Sequence, residues 1–173
     1  MTLKVRIAGL EEESYVDGEG IRYAIFVQGC PHHCEGCHNP QTFDFDGGRL
    51  IEIDELLDRI KGNALLSGVT LTGGEPLCQL RSLTELARAV QGMGLTVWCY
   101  TGFTFEELID GVERYFSADE VREFLRHVDV LVDGPFVERQ RDLSLAFRGS
   151  GNQRLIDVPK TLAEHEIVLI DLD

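Results

Sequence analysis

The chain alternates between short apolar runs of strand length and longer stretches with apolar residues at helical spacing. Arg22 to Gln28 (RYAIFVQ) is rich in β-branched and aromatic residues and predicts a strand that delivers the chain to Gly29. From Asp54 to Leu66, apolar residues at Leu56, Leu57, Ile60 and Ala64 predict a helix. Val69 to Thr72 predicts a short strand stopping at Gly73-Gly74. Ser82-x-x-Glu85 has the capping-box pattern, in which hydroxyl and carboxylate each satisfy an orphan backbone donor. It predicts a helix through Leu86, Ala89 and Val90 to Gly92 or Gly94. Leu95 to Tyr100 predicts the next strand, and Thr104-x-x-Glu107 and Ser117-x-x-Glu120 open two further short helices. Val128 to Val132 predicts a strand ending at Asp133-Gly134-Pro135, and Ile167 to Leu172 a last one.

Strand, loop, helix, strand in repetition predicts an α/β fold, with a mainly parallel sheet and helices outside. Four or five such units are too few for a full eight-stranded barrel; a partial, open (β/α) barrel and a twisted open sheet both fit. In either, ligands collect at the carboxyl ends of the strands. The loop after Gln28, Gly73-Gly74-Glu75, Tyr100-Thr101-Gly102 and Asp133-Gly134 all follow strand ends, so separate segments are expected to converge on one rim.

Length and charge narrow the class. A chain of 173 residues is expected to form a single domain over 1–173 with a sizeable core. Lys and Arg total 16 against 30 Asp and Glu, for a formal charge of −14. That balance repels phosphate backbones, and no basic stripe reverses it locally, so no nucleic-acid partner is expected. The apolar runs are too short to span a bilayer, so no membrane partner is expected either. The acidic run Glu11-Glu12-Glu13 stands where a signal peptide would carry its apolar region, and a cytoplasmic location is expected. Thiols stay reduced there, so the five cysteines are not read as a disulfide framework.

Three of them, Cys30, Cys34 and Cys37, fall within eight residues in a Cys-x3-Cys-x2-Cys loop. Structural zinc wants four ligands, usually from two separated pairs, and only one compact triplet is present. His32, His33 or His38 would supply the fourth, which makes a zinc-stabilised binding module the rival from a different class. A four-iron cluster on three cysteines leaves one iron open to a small molecule. Cys78 and Cys99 read as small apolar core residues, as do Trp98, Phe103 and Phe105. His127 and His165 lie in acidic helical surroundings and carry no mechanistic expectation.

Gly29-Cys-Pro-His-His-Cys-Glu-Gly-Cys-His-Asn39 resembles the signature of the radical S-adenosylmethionine (SAM) enzymes. Thr72-Gly-Gly-Glu-Pro76, one unit later, is similar to the methionine-binding turn of that family. Asp17-Gly-Glu-Gly-Ile-Arg22, Tyr100-Thr-Gly-Phe103, Val130-Leu-Val-Asp-Gly-Pro-Phe136 and Arg148-Gly-Ser-Gly-Asn-Gln153 resemble the small activating proteins of glycyl-radical enzymes. Among these, the likeness is greatest to those acting on anaerobic ribonucleoside-triphosphate reductase, and it runs from about residue 15 to about residue 156. The chain departs from the pattern at Glu19, where Pro is usual, and at Phe43, where Trp is common.

The resemblance implies a [4Fe-4S] cluster on Cys30, Cys34 and Cys37, with SAM on the open iron as cosubstrate. It implies reductive SAM cleavage, a 5′-deoxyadenosyl radical that takes hydrogen from a partner glycine, and reduced flavodoxin or ferredoxin as electron donor. No general acid or base is assigned, because cluster and cosubstrate carry the chemistry. Gly73 and Gly74 would let the backbone approach the methionine moiety, and Glu75 or neighbouring carbonyls would accept from its ammonium. Gly36 and His38 flank Cys37 near the adenosyl group, although His38 capping the loop is an equal reading. Asp133 would meet the ribose, a cation or the partner, or simply end its strand. Arg148 to Gln153 reads as a polar loop, either ordinary surface or facing partner or cosubstrate. A short, open barrel admits a glycine-bearing loop where a closed one would bar it. That openness favours a protein substrate over a small molecule, and the short chain disfavours an activase of the formate-lyase type.

Overall fold

In the computed structural model, which describes residues 2–172, the apolar runs form the middle of one seven-stranded sheet. Along the chain run β1 (Lys4–Ser14), β2 (Arg22–Val27), β3 (Arg49–Glu52), α1 (Ile53–Lys61), β4 (Gly68–Gly73) and α2 (Leu80–Gly92). They are followed by β5 (Thr96–Tyr100), α3 (Phe105–Asp110), α4 (Ala118–Leu125), β6 (Val130–Asp133), β7 (Arg154–Asp157) and α5 (Val158–Glu164). The strand order is β3-β1-β2-β4-β5-β6-β7. β2, β4, β5 and β6 are mutually parallel, while β1 and β3 on one flank and β7 on the other join antiparallel. The sheet is therefore mixed and open, parallel only in its centre. The difference from a mainly parallel sheet lies in flanking strands that are polar along much of their length (β1) or only four residues long with charged ends (β3 and β7), and so give no continuous apolar signal.

Side chains alternate across the sheet. Ile25, Leu71, Cys99 and Leu131 point to one face and join Leu56, Leu83, Leu86 and Phe124 of the helices in the main core. On the opposite face, Trp98, Val130, Val132 and Leu155 form a second cluster with Phe147 packed against it, towards the β6–β7 flank. Phe26, Thr72 and Tyr100 of the same face remain open to a cavity. Arg22 ties the amino ends of the central strands together. It is buried, donates to Thr70 Oγ1, the Val69 carbonyl and the Thr96 carbonyl, and lies 5.4 Å from the Trp98 ring centre. Burial pulls its pKa down to about 10.

Local signals held where the chain itself completes them. Thr104–Glu107 and Ser117–Glu120 are both reciprocal capping boxes, at the starts of α3 and α4. Ser82–Glu85 is not one. A 3-10 turn over Pro76–Gln79 runs directly into α2 at Leu80, so Ser82 is already helical and its hydroxyl donates to the Lys4 carbonyl of β1. The helix expected over 54–66 spans Ile53–Lys61, its buried stripe being Ile53, Leu56 and Ile60, and Ala64 lies exposed beyond its end. Segment 167–172 is no strand. Leu169 makes one isolated bridge to Ile156, and the pairing goes no further. β1, β3, β7 and α5 complete the structure without having been anticipated.

Candidate active site

The carboxyl ends of β2, β4, β5 and β6 surround a cavity of about 710 Å³, within the range of small-molecule sites. Cys30, Cys34 and Cys37 all line it, together with Gly73, Gly74, His38 and Gly134. The loop that carries the thiols leaves β2 through Gly29, whose amide donates to the Thr42 carbonyl at 2.8 Å and whose carbonyl accepts from the Glu75 amide at 2.8 Å. Stacking of His33 on Phe43, with ring centres 4.4 Å apart, holds its middle. Its far end is closed by the Asn39 amide, which donates to Cys37 Sγ at 3.4 Å.

All five cysteines are free thiols. Cys30 is buried, and desolvation pushes its pKa up to about 11; the Cys34 thiol is raised for the same reason. Such thiols ionise when a bound cation replaces the proton. Among the described residues no group of three or more His, Cys, Asp or Glu side chains stands assembled around a single-ion position. A cluster takes each thiolate on a different iron, so the three sulfurs need only face one space, as they do here. The donor set thus fits a [4Fe-4S] group held by Cys30, Cys34 and Cys37.

The Gly73-Gly74 turn borders the same cavity, but steric demand for glycine comes from behind it. A Cβ at Gly73 (φ +93°) would lie 2.6 Å from Phe26 Cα, and one at Gly74 would lie 2.4 Å from the Gly29 carbonyl oxygen. The missing side chains let β4 approach β2 and the cysteine loop. Gly36 is in the left-handed region at +75°, and a Cβ there would lie 2.9 Å from the Glu138 carboxylate carbon. The His38 ring lies 5.4 Å from that of Phe136 and borders the cavity.

Two expected contact residues are placed differently. The Glu75 carboxylate is completely buried and turned inward. It accepts from the Leu77 amide, from Thr101 Oγ1 and from the Gly102 amide, and its Oε2 lies 2.7 Å from His32 Nε2. Asp133, equally buried, accepts from the Phe105 amide at 2.8 Å and pairs with Arg154. Neither carboxylate lines the cavity. Cys99 is core, as expected, whereas Cys78 is half-buried outside the cavity lining, its pKa raised to about 12 by burial.

Residues without a site expectation of their own complete the mouth. Tyr15 and Val16, before β2, and Leu143, between β6 and β7, are exposed there. Arg148 borders the cavity too, in the loop whose two readings had been left open. Their sequence signal was weak because exposed apolar residues in loops have no periodicity.

The description "4Fe-4S single cluster domain" matches this chain over residues 16–156. Three similar proteins bear the name anaerobic ribonucleoside-triphosphate reductase-activating protein. One from Haemophilus influenzae is 37% identical over 151 residues, covering 80% of this chain and 88% of its own. One from Vibrio cholerae is 33% identical over 146 residues, with 80% and 88% covered. One from Escherichia coli is 32% identical over 148 residues, with 80% and 89% covered. Among the described residues, no helix is long and apolar enough to cross a membrane.

Proposed function

Because the chain belongs to the family of anaerobic ribonucleoside-triphosphate reductase-activating proteins, and to the 4Fe-4S single cluster domain family, we propose that it activates such a reductase by radical SAM chemistry. The observation that carries this reading is one cavity bordered by three thiols of a single loop and by the Gly73-Gly74 turn. When bound, the [4Fe-4S] group supplies one electron to SAM, yielding methionine and a 5′-deoxyadenosyl radical that becomes 5′-deoxyadenosine by taking hydrogen from a glycine of the reductase.

The chain's own part is to bind, orient and exclude water. Cys30, Cys34 and Cys37 hold the cluster. The backbone at Gly73 and Gly74 borders the methionine end of the cosubstrate, and Gly36 and His38 the adenosyl end. Glu75 and Asp133 serve by positioning: their carboxylates hold the strand-end loops together and leave direct contact to the backbone. The fold is the open, partial form of the radical SAM barrel in a single domain, and its open mouth admits a protein segment. Reduced flavodoxin or ferredoxin supplies the electron, in the cytoplasm.

The test is anaerobic iron–sulfur reconstitution, dithionite reduction with SAM, and assay of 5′-deoxyadenosine. The wild-type chain is expected to turn brown and release the nucleoside, and to yield a glycyl signal when the reductase is added. Cys34→Ser is expected to lose both colour and product while keeping its circular dichroism. A colourless protein that takes up stoichiometric zinc and no iron would overturn the reading in favour of a binding module.

A further inference from the structure

His32 stands between the first two cluster cysteines, yet its ring leaves their loop and enters the space between the loops after β4 and β5. Its side chain is 17% exposed, and its Nε2 lies 2.7 Å from Glu75 Oε2. Phe103 packs edge-on against the ring, with centres 4.5 Å apart. Gly102 is shaped for it as well, since a Cβ at that position would lie 2.4 Å from the imidazole Cδ2. The other partners of the Glu75 carboxylate, the Leu77 amide, the Thr101 hydroxyl and the Gly102 amide, all donate to it. The carboxylate is thus the acceptor of a fourth donor, and His32 Nε2–H fills that place.

The contact joins three segments that are remote in sequence. The same residue also bears on the metal side of the loop, because His32 and His33 are two of the three residues that link Cys30 to Cys34. His33 is held from the opposite side by Phe43 and has a left-handed backbone, with φ +48°. The short arc between Cys30 and Cys34 is therefore anchored twice, once by each histidine ring.

We propose that His32 is a positioning residue for the cluster, acting through Glu75: the His32–Glu75 contact fixes the Cys30–Cys34 arc and with it the two thiolates that the arc joins. This rests on the cluster reading above. The placement of the ligands and of the groups around them is one of the levers that set the reduction potential of a cluster. His32, which also borders the cavity, thereby couples the turn after β4 to the potential of the cluster.

The experiment uses the reconstituted full chain with three substitutions, His32→Leu, His32→Gln and Gly102→Ala. The midpoint potential and the EPR spectrum of the reduced cluster are read with and without SAM. His32→Leu is expected to retain iron but to show a shifted potential and an altered spectrum. His32→Gln, whose amide still donates to Glu75, is expected to remain close to wild type. Gly102→Ala, which drives a methyl group into the imidazole, is expected to reproduce His32→Leu from another segment of the chain. Wild-type potential and spectra in His32→Leu would overturn the proposal and leave the cluster reading intact. If His32→Leu fails to fold, Gly102→Ala decides in its place, and an unchanged potential there overturns the proposal equally. A wild-type chain that assembles no four-iron cluster would instead sink the functional reading itself.

Discussion

Glu75 and Asp133 are both buried carboxylates at the carboxyl ends of parallel strands, β4 and β6, that flank β5, and they are solvated by the protein in opposite ways. Asp133 faces a fixed cation: Arg154 Nε approaches its Oδ1 at 3.0 Å, and the same guanidinium reaches out to Glu106 in a two-pronged contact of 3.1 and 2.7 Å. Glu75 faces no Lys or Arg among its hydrogen-bond partners, only neutral donors and one imidazole. The β6–β7 side of the rim is thus held by an ion pair that continues to the surface. The side that carries the cysteine loop is held by aimed dipoles. A fixed ion pair supplies attachment at the price of sensitivity to salt and pH. Aimed donors supply geometry, and geometry is what a cluster loop needs.

The difference can be tested by removing each support in turn. Glu75→Ala strands the Leu77 and Gly102 amides and the Thr101 hydroxyl inside the protein. At about 1–3 kcal/mol for each buried group left unpaired, the loss of stability should be on the order of 4 kcal/mol, read as a lower urea midpoint. Asp133→Asn preserves shape but exchanges one of the two accepting oxygens for an NH2 and removes the charge facing Arg154, which keeps Glu106 and partial access to water. Its cost should be about 2 kcal/mol, below the usual range for breaking a fully buried pair, with the cluster potential unchanged. Equal losses in the two variants, or a shifted potential in Asp133→Asn, would erase the distinction.

The smallest effect belongs to the outer end of the ion-pair chain. Hydrogen bonding from Arg154 holds the Glu106 carboxyl below its ordinary value of 4.5. Its folded pKa is depressed, so its contribution is fully present above that ordinary value and is lost as pH falls through the lower folded one. Glu106→Gln should therefore flatten the acid limb of the stability profile and cost less than about 1 kcal/mol at neutral pH, because the side chain is mostly exposed. Added salt should shrink that difference further; a salt-independent loss would count against the screened pair.

Legibility along the chain follows the range of the interactions. The central strands were readable because burial on both faces leaves an unbroken apolar run, as in Tyr23 to Val27. The boxes at Thr104 and Ser117 were readable because each is closed within three residues. The box at Ser82 failed because the hydroxyl found the Lys4 carbonyl, a partner 78 residues away, once a 3-10 turn had already started the helix. β7 has only four residues, and its pairing with β6 depends on a chain reversal through the long loop that lines the cavity mouth. In the site, the three cysteines and the Gly-Gly turn were legible by spacing. The inward turn of Glu75 was not, since His32 lies 43 residues before it and Thr101 26 after.

From its sequence alone, this protein has its central strands, two helix caps, a compact thiol loop and the resemblance that those motifs carry. These are local properties, in which neighbouring residues impose geometry on one another whatever the rest of the chain does. Tertiary structure alone decided the mixed edges of the sheet, the inward fate of Glu75 and Asp133, and the passage of His32 from the cysteine loop to the turn after β4. Each of these depends on hydrogen bonds between segments tens of residues apart. Such bonds repay the entropy of bringing the chain together only after the core beneath them has closed.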